Sequence, residues 1–355
     1  MKLIGLICLS LFSLAITFTS LAEQYLPLTP NKILFGSCSH QDKPMAIFKA
    51  INHEQSDLFI FLGDNIYGDT DNMQQLAHKY QKLAANKGFK TLRKNTPTVA
   101  IWDDHDYGEN DAGREYAQKE RSRQLMLDFW QTPKNSPRYS QQGGIYTAYM
   151  MGTAEQRVQV ILPDLRWDRS PLKRVDKQTY LNARKPSNMG PYLPNEASDA
   201  SMLSEAQWQW LEKELQKPAK LKIIASSLQL LPEFTGWESW ANFPRDRQRL
   251  FALIEKHKVN GVLIISGDTH WGEISRLENV IAYPLWEVTS SGLTQEWKAI
   301  SPNLHRIGKA TGKINYGDIS IDWQRKDPII RLMLKNEQGN IVRQEQFALS
   351  TLYGY

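Results

Sequence analysis

Four short apolar runs in this chain each stop at a cluster of side chains able to bind a metal ion: Gly36-Ser37-Cys38, Gly63-Asp64-Asn65-Ile66-Tyr67, Trp102-Asp103-Asp104-His105-Asp106 and Gly267-Asp268-Thr269-His270. Runs of this length, ended by glycine or a polar residue, read as buried strands. Carboxylate, imidazole, thiol and phenol groups set just past such strands meet where loops converge, which is what a hydrolytic metal centre requires. The fold is therefore restricted to one that carries several strand ends to a common edge.

The spacing between the clusters fits that restriction. Residues 32–35 and 57–62 read as strands, and Met45, Ile47, Phe48 and Ile51 between them fall at helical spacing. A strand, helix, strand unit with a parallel connection puts both strand ends on one edge, so Cys38 and Asp64 are expected side by side. A helical stretch over 73–85 precedes a third strand, 98–102, which delivers Asp103 to Asp106 to the same edge. Residues 111–130 read as a long amphipathic helix, 145–150 and 158–162 as paired strands, and 170–201 as a long polar surface loop. A helix over 204–215 opens on Ser204, strands follow at 222–226 and 262–266, and a helix over 245–257 lies between them. Strands at 281–288, 314–323, 329–334 and 341–347 end the chain, the last two joined by a turn at 337–340. With no repeat and no linker, residues 23–355 are expected to form one α/β domain with two sheets.

Residues 1–22 have a lysine at position 2, an apolar core too short to span a bilayer comfortably, and small residues at Ser20 and Ala22. This is the pattern of a secretory signal peptide cleaved after Ala22, so a periplasmic or secreted protein is expected, with no later segment able to cross a membrane. Cys8 leaves with the peptide, and Cys38 becomes the only cysteine. Alone in an oxidising compartment, it is an intermolecular bridge, a reactive thiol, a metal ligand or a small buried residue. The net charge of +5 arises from 43 basic and 38 acidic residues mixed along the chain. That balance favours anionic substrates weakly, and no basic run suggests a nucleic-acid tract.

A pair of hydrolytic cations needs a carboxylate that bridges them, and Asp64 suits this because Gly63 lets the backbone turn sharply at the strand end. Tyr67 can return to the same site as a phenolate, which favours a hard cation such as ferric iron, and a Cys38 thiolate would bind the same ion. Asp268 and His270 alternate across Thr269 and would point the same way in an extended chain. Asp104 is the expected ligand of the second cation. His105, facing elsewhere, is expected to act on the substrate by protonating or stabilising a leaving oxygen, with Asp103 or Asp106 orienting it. Gly-Asp at a strand end can also be an ordinary turn, and Asp103-Asp104 a helix cap. Buried like charges repel, however, so four such clusters together point to cations. His40, beside the first cluster, is the one other histidine with a setting of interest.

The motifs Gly36-Ser37-Cys38-Ser39, Leu62-Gly63-Asp64-Asn65-Ile66-Tyr67-Gly68-Asp69, Trp102-Asp103-Asp104-His105-Asp106-Tyr107-Gly108 and Ser266-Gly267-Asp268-Thr269-His270 resemble those of the alkaline phosphatase D family of calcineurin-like metallophosphoesterases. The resemblance implies a four-layer α-β-β-α sandwich and hydrolysis of phosphate mono- or diesters by a metal-held hydroxide. It implies ferric iron with calcium, ahead of zinc, manganese or magnesium. Cys38, Asp64, Tyr67 and His270 would hold the iron, and Asp64, Asp104 and Asp268 the calcium. His105 takes the catalytic histidine's place. Residues 161–166 are similar to a further family stretch, with Leu165 where threonine is usual. From it, Arg166 either faces the phosphate or makes a structural ion pair with Asp164. A monomer acting on a phosphate ester is expected, a phospholipase acting on lipid head groups is the alternative, and a catalytically inactive cation-binding protein is the reading from another class.

Overall fold

The computed structural model of the protein describes residues 25, 26 and 28–355, so the expected signal peptide lies outside the described residues. Strand β1 (Tyr25–Leu26) is followed by β2 (Lys32–Gly36), α1 (Ile47–His53) and β3 (Leu58–Leu62). Helices α2 (Met73–Ala85) and α3 (Lys87–Asn95) lead to β4 (Thr98–Ile101), which runs into the single turn α4 (Asp104–Tyr107). After α5 (Lys119–Phe129) come β5 (Thr147–Met151) and β6 (Val158–Leu162). The pair β7 (Lys173–Arg174) and β8 (Tyr192–Leu193), with the short α6 (Lys177–Thr179) between them, precedes α7 (Glu205–Gln216) and β9 (Leu221–Ala225). Helix α8 (Pro244–Lys256) and β10 (Val262–Ser266) follow, then β11 (Gly272–Leu277), β12 (Leu285–Ser290), β13 (Asn315–Asp322), β14 (Ile329–Asn336) and β15 (Ile341–Ala348).

The strands form two large mixed sheets. One has the order β1-β5-β6-β9-β10-β12-β11 and the other β15-β14-β13-β2-β3-β4. Within the second, β2, β3 and β4 are parallel, so Gly36, Leu62 and Ile101 end at one edge. Within the first, β9, β10 and β12 are parallel and bring Ala225, Ser266 and Ser290 to their own common edge. The two edges meet: Ser37 N–H donates to Ser290 O at 3.1 Å, and Leu293 N–H donates to Ser37 O at 3.1 Å. Every residue of β3, β9 and β10 is buried, as expected of parallel strands covered on both faces. With helices outside two sheets that share one core, this is the α-β-β-α sandwich expected from the motifs.

Local sequence explains the element boundaries. Asn72 caps α2 by accepting from the N–H groups of Gln74 and Gln75, and Asn86 stops that helix and caps α3 by accepting from Phe89 N–H. Phe89 then packs edge-on against Phe48 at 6.1 Å and Phe61 at 5.7 Å, fixing α1 and α3 on the sheet. Aromatic pairs of this kind contribute roughly 0.5–1.5 kcal/mol each beyond simple burial. Ser204 caps α7 as expected, accepting from Gln207 N–H.

Three expectations need correction. The helix expected over 111–130 begins only at Lys119, because Arg114 N–H donates to Arg169 O and draws the preceding segment against another loop. The strand expected over 281–288 begins at Leu285, and β11, its antiparallel neighbour, was not expected at all. The 170–201 segment is docked rather than free: it carries β7 and β8, and Tyr192 is buried. Among the described residues no helix is long and apolar enough to cross a membrane.

Candidate metal centre

The loops leaving β2, β3, β4 and β10 carry the four clusters to the meeting line of the sheets. Gly63 sits at φ +97° with Asp103 so close that a Cβ would lie 2.5 Å from the aspartate's own, which leaves room for glycine alone. Cys38, Asp64, Asp268 and His270 have φ values of 63°, 50°, 69° and 63°. Asp268 and His270 are therefore not in the extended chain expected of them; left-handed backbone, uncommon for residues with a Cβ, aims them instead.

Potential ligand atoms fall into overlapping sets within 4.8 Å: Cys38, Asp64 and His270; Asp64, Asp104 and His105; Asp103, Asp104 and Asp268; and Asp104, Asp111 and Glu238. Asp64 belongs to two sets and Asp104 to three. Cys38 Sγ lies 3.4 Å from Asp64 Oδ2 and 3.1 Å from Ser291 Oγ. Tyr67 Oη lies 2.9 Å from His270 Nε2, its ring stacked with that of His40 at 4.7 Å and 4.1 Å from that of His105. His105 Nδ1 meets Asp69 Oδ1 at 2.6 Å, so Asp69, rather than Asp103 or Asp106, orients the imidazole. Asp106 instead accepts from the N–H groups of Asn65, Ile66 and Asp103, tying the second and third clusters together.

Arg166 is fully buried and does not line the cavity beside these groups. Its guanidinium is bonded to Asp103, to Glu238 at 2.7 Å, and stands 3.5 Å from Asp104. The expected ion pair with Asp164 is not made, since the Arg166 guanidinium pairs with Asp103 and Glu238 instead; from Arg166, Asp164 accepts the backbone N–H alone, at 2.9 Å.

The electrostatics follow from burying so many acids together. Burial, reinforced by Cys38, Asp104 and Asp103 and opposed by His105, pushes the Asp64 carboxyl well above its ordinary range. Burial and the charges of Asp103, Glu238 and Asp104 do the same to Asp268. Burial lifts the Cys38 thiol to about 12 against hydrogen bonds from Ser291 and Ser37, and raises the Tyr67 phenol as well. The two histidines diverge. Burial would lower both, but Asp104, Asp64 and Asp69 hold His105 up at about 11, while burial and the nearby His105 bring His270 down to about 4. Asp64 Oδ1, Asp103 Oδ2 and Asp104 Oδ1 are buried with no hydrogen-bond partner. Carboxylate oxygens so placed suit cations, which would remove the repulsion, satisfy those atoms and let the acids, thiol and phenol ionise.

Sequence reasoning missed Asp69, Asp111, Glu238 and Ser291. Asp69 stood in the second motif but without an assigned partner. Glu238 lies in an aperiodic stretch between β9 and α8, where only the presence of a carboxylate beside Trp237 and Trp240 hinted at burial.

The chain superposes on the structure of PhoD with a TM-score of 0.65 at 15% identity, covering 90% of this chain and 72% of that one. GAP50, the anchor in the inner membrane complex of Plasmodium, matches at 0.54 and 11% identity over 90% of this chain and 89% of that one. A dimetal phosphatase from Danio rerio matches at 0.51 and 13% identity, over 90% and 100% respectively. These likenesses concern the fold. No curated protein matches the sequence. The family description PhoD-like phosphatase matches residues 33–317, which carry all four clusters, nearly all of the seven-stranded sheet and the parallel strands β2, β3 and β4 of the other, and by that match the chain belongs to the PhoD-like phosphatase family, a family of metal-dependent phosphoesterases.

Proposed function

We propose that the protein hydrolyses phosphate mono- or diesters at this centre, outside the cytoplasm. The observation that carries the reading is the sharing of Asp64 and Asp104 between adjoining ligand sets, with buried oxygens of both left without hydrogen bonds. Cys38, Asp64, Tyr67 and His270 would hold ferric iron, and Asp64, Asp104 and Asp268 calcium. Bound there, the cations would supply Lewis acidity toward the phosphoryl oxygens and a water of lowered pKa.

The chain's own residues do the rest. Asp69 fixes the His105 ring through Nδ1, leaving Nε2 as the nitrogen that can give a proton to the leaving oxygen. Asp104 and Asp64, next to that imidazole, favour its protonated form, which suits an acid rather than a base. Arg166 is a positioning residue: through Asp103 and Glu238 it fixes the backbone from which Asp104 and His105 project. Cys38 is held between Asp64 and Ser291, a setting for a ligand more than for an exposed reactive thiol.

The test is turnover of p-nitrophenyl phosphate and bis(p-nitrophenyl) phosphate by protein purified without chelator, with metal analysis and a visible absorption scan for a tyrosinate-to-iron band. Loss of turnover and metal in Asp64→Ala and His270→Ala is expected; full activity in either variant would overturn the site. Phosphatidylcholine vesicles as a third substrate decide the phospholipase alternative. Export is tested by the mass of the mature protein, expected to begin at Glu23.

A further inference from the structure

The cavity over the clustered ligands, about 250 Å³, has two unlike walls. Polar groups, among them Asp64, Asp104, His105, Asp268 and His270, line part of it, and Trp237, Trp271 and Trp297 line the rest. The tryptophans come from three loops that follow different strands of one sheet, so the fold gathers them as deliberately as it gathers the acids. Trp237 and Trp297 are half-buried, with rings 5.8 Å apart at 87°, and Trp297 stands edge-on to the His270 ring at 6.0 Å and 63°.

The ring of Trp297 and the loop that carries Trp237 are held by hydrogen bonds. Trp297 donates its indole N–H to Ala299 O at 2.9 Å and its backbone N–H to Gly312 O at 3.0 Å. The loop of Trp237 is clamped by the 170–201 segment, where Gly190 N–H donates to Thr235 O at 3.1 Å and Tyr192 N–H to Gly236 O at 2.9 Å. The clamp needs glycine on both sides, since a Cβ on Gly190 would lie 2.1 Å from Gly236 O. A docked segment thus holds an apolar wall a short distance from the ester-cleaving groups.

Charge narrows what that wall can accept. Among the described residues lining the cavity none is a lysine or arginine. The two further acids lining it, Glu238 and Asp111, stand with Asp104 and are already engaged, Glu238 by Arg166 and Arg169 and Asp111 by Arg174 and Tyr192. Without a lysine or arginine on the lining, a second phosphate or a free carboxylate has no permanent cation to meet beyond the ester-cleaving groups, whereas two indoles offer stacking and edge contacts to a flat ring. Resting on the phosphoesterase reading above, we infer that Trp237 and Trp297 form a leaving-group subsite for planar aromatic alcohols, aryl or nucleoside, and set a preference for their phosphate esters over saturated ones. Stacking of this kind acts alike in ground and transition states, so it shows in KM more than in kcat.

The test compares benzylphosphonate with cyclohexylmethylphosphonate as probes for binding to the full metal-loaded protein by calorimetry, the two differing in planarity but little in size. Benzylphosphonate is expected to bind about tenfold more tightly, the scale of one stacked ring. Trp237→Ala and Trp297→Ala should collapse the ratio to near one, and Trp297→Phe should restore most of it. Equal affinities in the unmodified protein would overturn the inference, as would a ratio that survives both alanine variants. Because the probes are not hydrolysed, absence of turnover on any ester would count against the phosphoesterase reading and leave this test able to decide. With esters, benzyl against cyclohexylmethyl phosphate and adenosine 5′-monophosphate against ribose 5-phosphate separate aryl from nucleoside leaving groups, read as KM ratios.

Discussion

Beneath the C-terminal end of α1, Glu54 meets Lys32 at 2.9 Å, Lys335 at 2.8 Å and the Tyr316 hydroxyl at 2.9 Å, and Lys335 also reaches Asp318 at 2.8 Å. At the strand exits the acids instead face one another, and Asp64, Asp103 and Asp104 each keep an oxygen with no hydrogen-bond partner. Both groups are largely buried and both rest on the sheet that holds β2. In the first, acids and bases are interleaved, and the charges close on themselves. In the second, Arg166 neutralises the acids at the back, and His105 is the one cationic side chain against Asp64 and Asp104 in front, so the acids there outnumber it. Buried charge that is locally balanced holds elements together; buried charge of one sign is tolerable where something of the other sign arrives.

Exchanging one residue at a time sharpens the contrast. Asp64→Ala removes the carboxylate shared by two ligand sets and should lower turnover about a thousandfold or more, since cation catalysis supplies several kcal/mol of barrier. Activity within tenfold of the parent would end the comparison. Arg166→Met should leave the buried Asp103 with no cation beside it and Glu238 with Arg169 alone, and destabilise the fold by about 3 kcal/mol in denaturant unfolding. A loss near zero would mean those acids are protonated or otherwise paired.

Asp69→Asn should reduce kcat by about 10–100-fold, the usual effect of an orienting partner, with little change in stability. Asp69 is one of the groups that raise His105, so the variant's His105 should lose its proton at lower pH. The alkaline limb of its pH–rate profile should therefore move down; an unmoved limb would assign the proton to another group.

In the balanced group, Glu54→Gln should cost about 2 kcal/mol of stability at neutral pH and leave turnover unchanged. Burial raises the Glu54 carboxyl, but hydrogen bonds from Lys335, Lys32 and Tyr316 outweigh it and bring it down to about 2. A folded-state value below that of the unfolded chain means the stabilisation is present above the ordinary glutamate range and fades as pH falls through it toward about 2. Melting curves of parent and variant should accordingly converge in acid. Curves that stay parallel from pH 7 to pH 2 would remove Glu54 as the titrating group.

The strands and the clusters at their ends were legible because both signals are local: Leu58 to Leu62 is an unbroken apolar run, and Gly63-Asp64 follows it in sequence. Parallel connection then suffices to set Cys38 beside Asp64. What could not be read depends on chain segments meeting from afar. Arg166 finds Asp103 across 63 positions and Glu238 across 72, and neither partner is marked by periodicity. Asp69 was visible as a residue, but its task exists only because α4 turns His105 back over the β3 loop. The helix expected from 111 failed for the same reason: its apolar spacing was present, but pairing with the loop at Arg169 took the first part of the segment away from helical geometry. Asp268 and His270 were expected in extended chain, and two-residue alternation carries no information about left-handed turns.

Those left-handed turns bear on how such a chain changes over generations. Cys38, Asp64, Asp268 and His270 each hold a torsion that disfavours any residue with a Cβ by roughly 1–2 kcal/mol, and glycine escapes that penalty. Robustness and catalysis therefore select in opposite directions at the same four codons. A descendant freed from the need to cleave esters should drift to glycine there first, and such replacements would identify a retired copy from its gene alone.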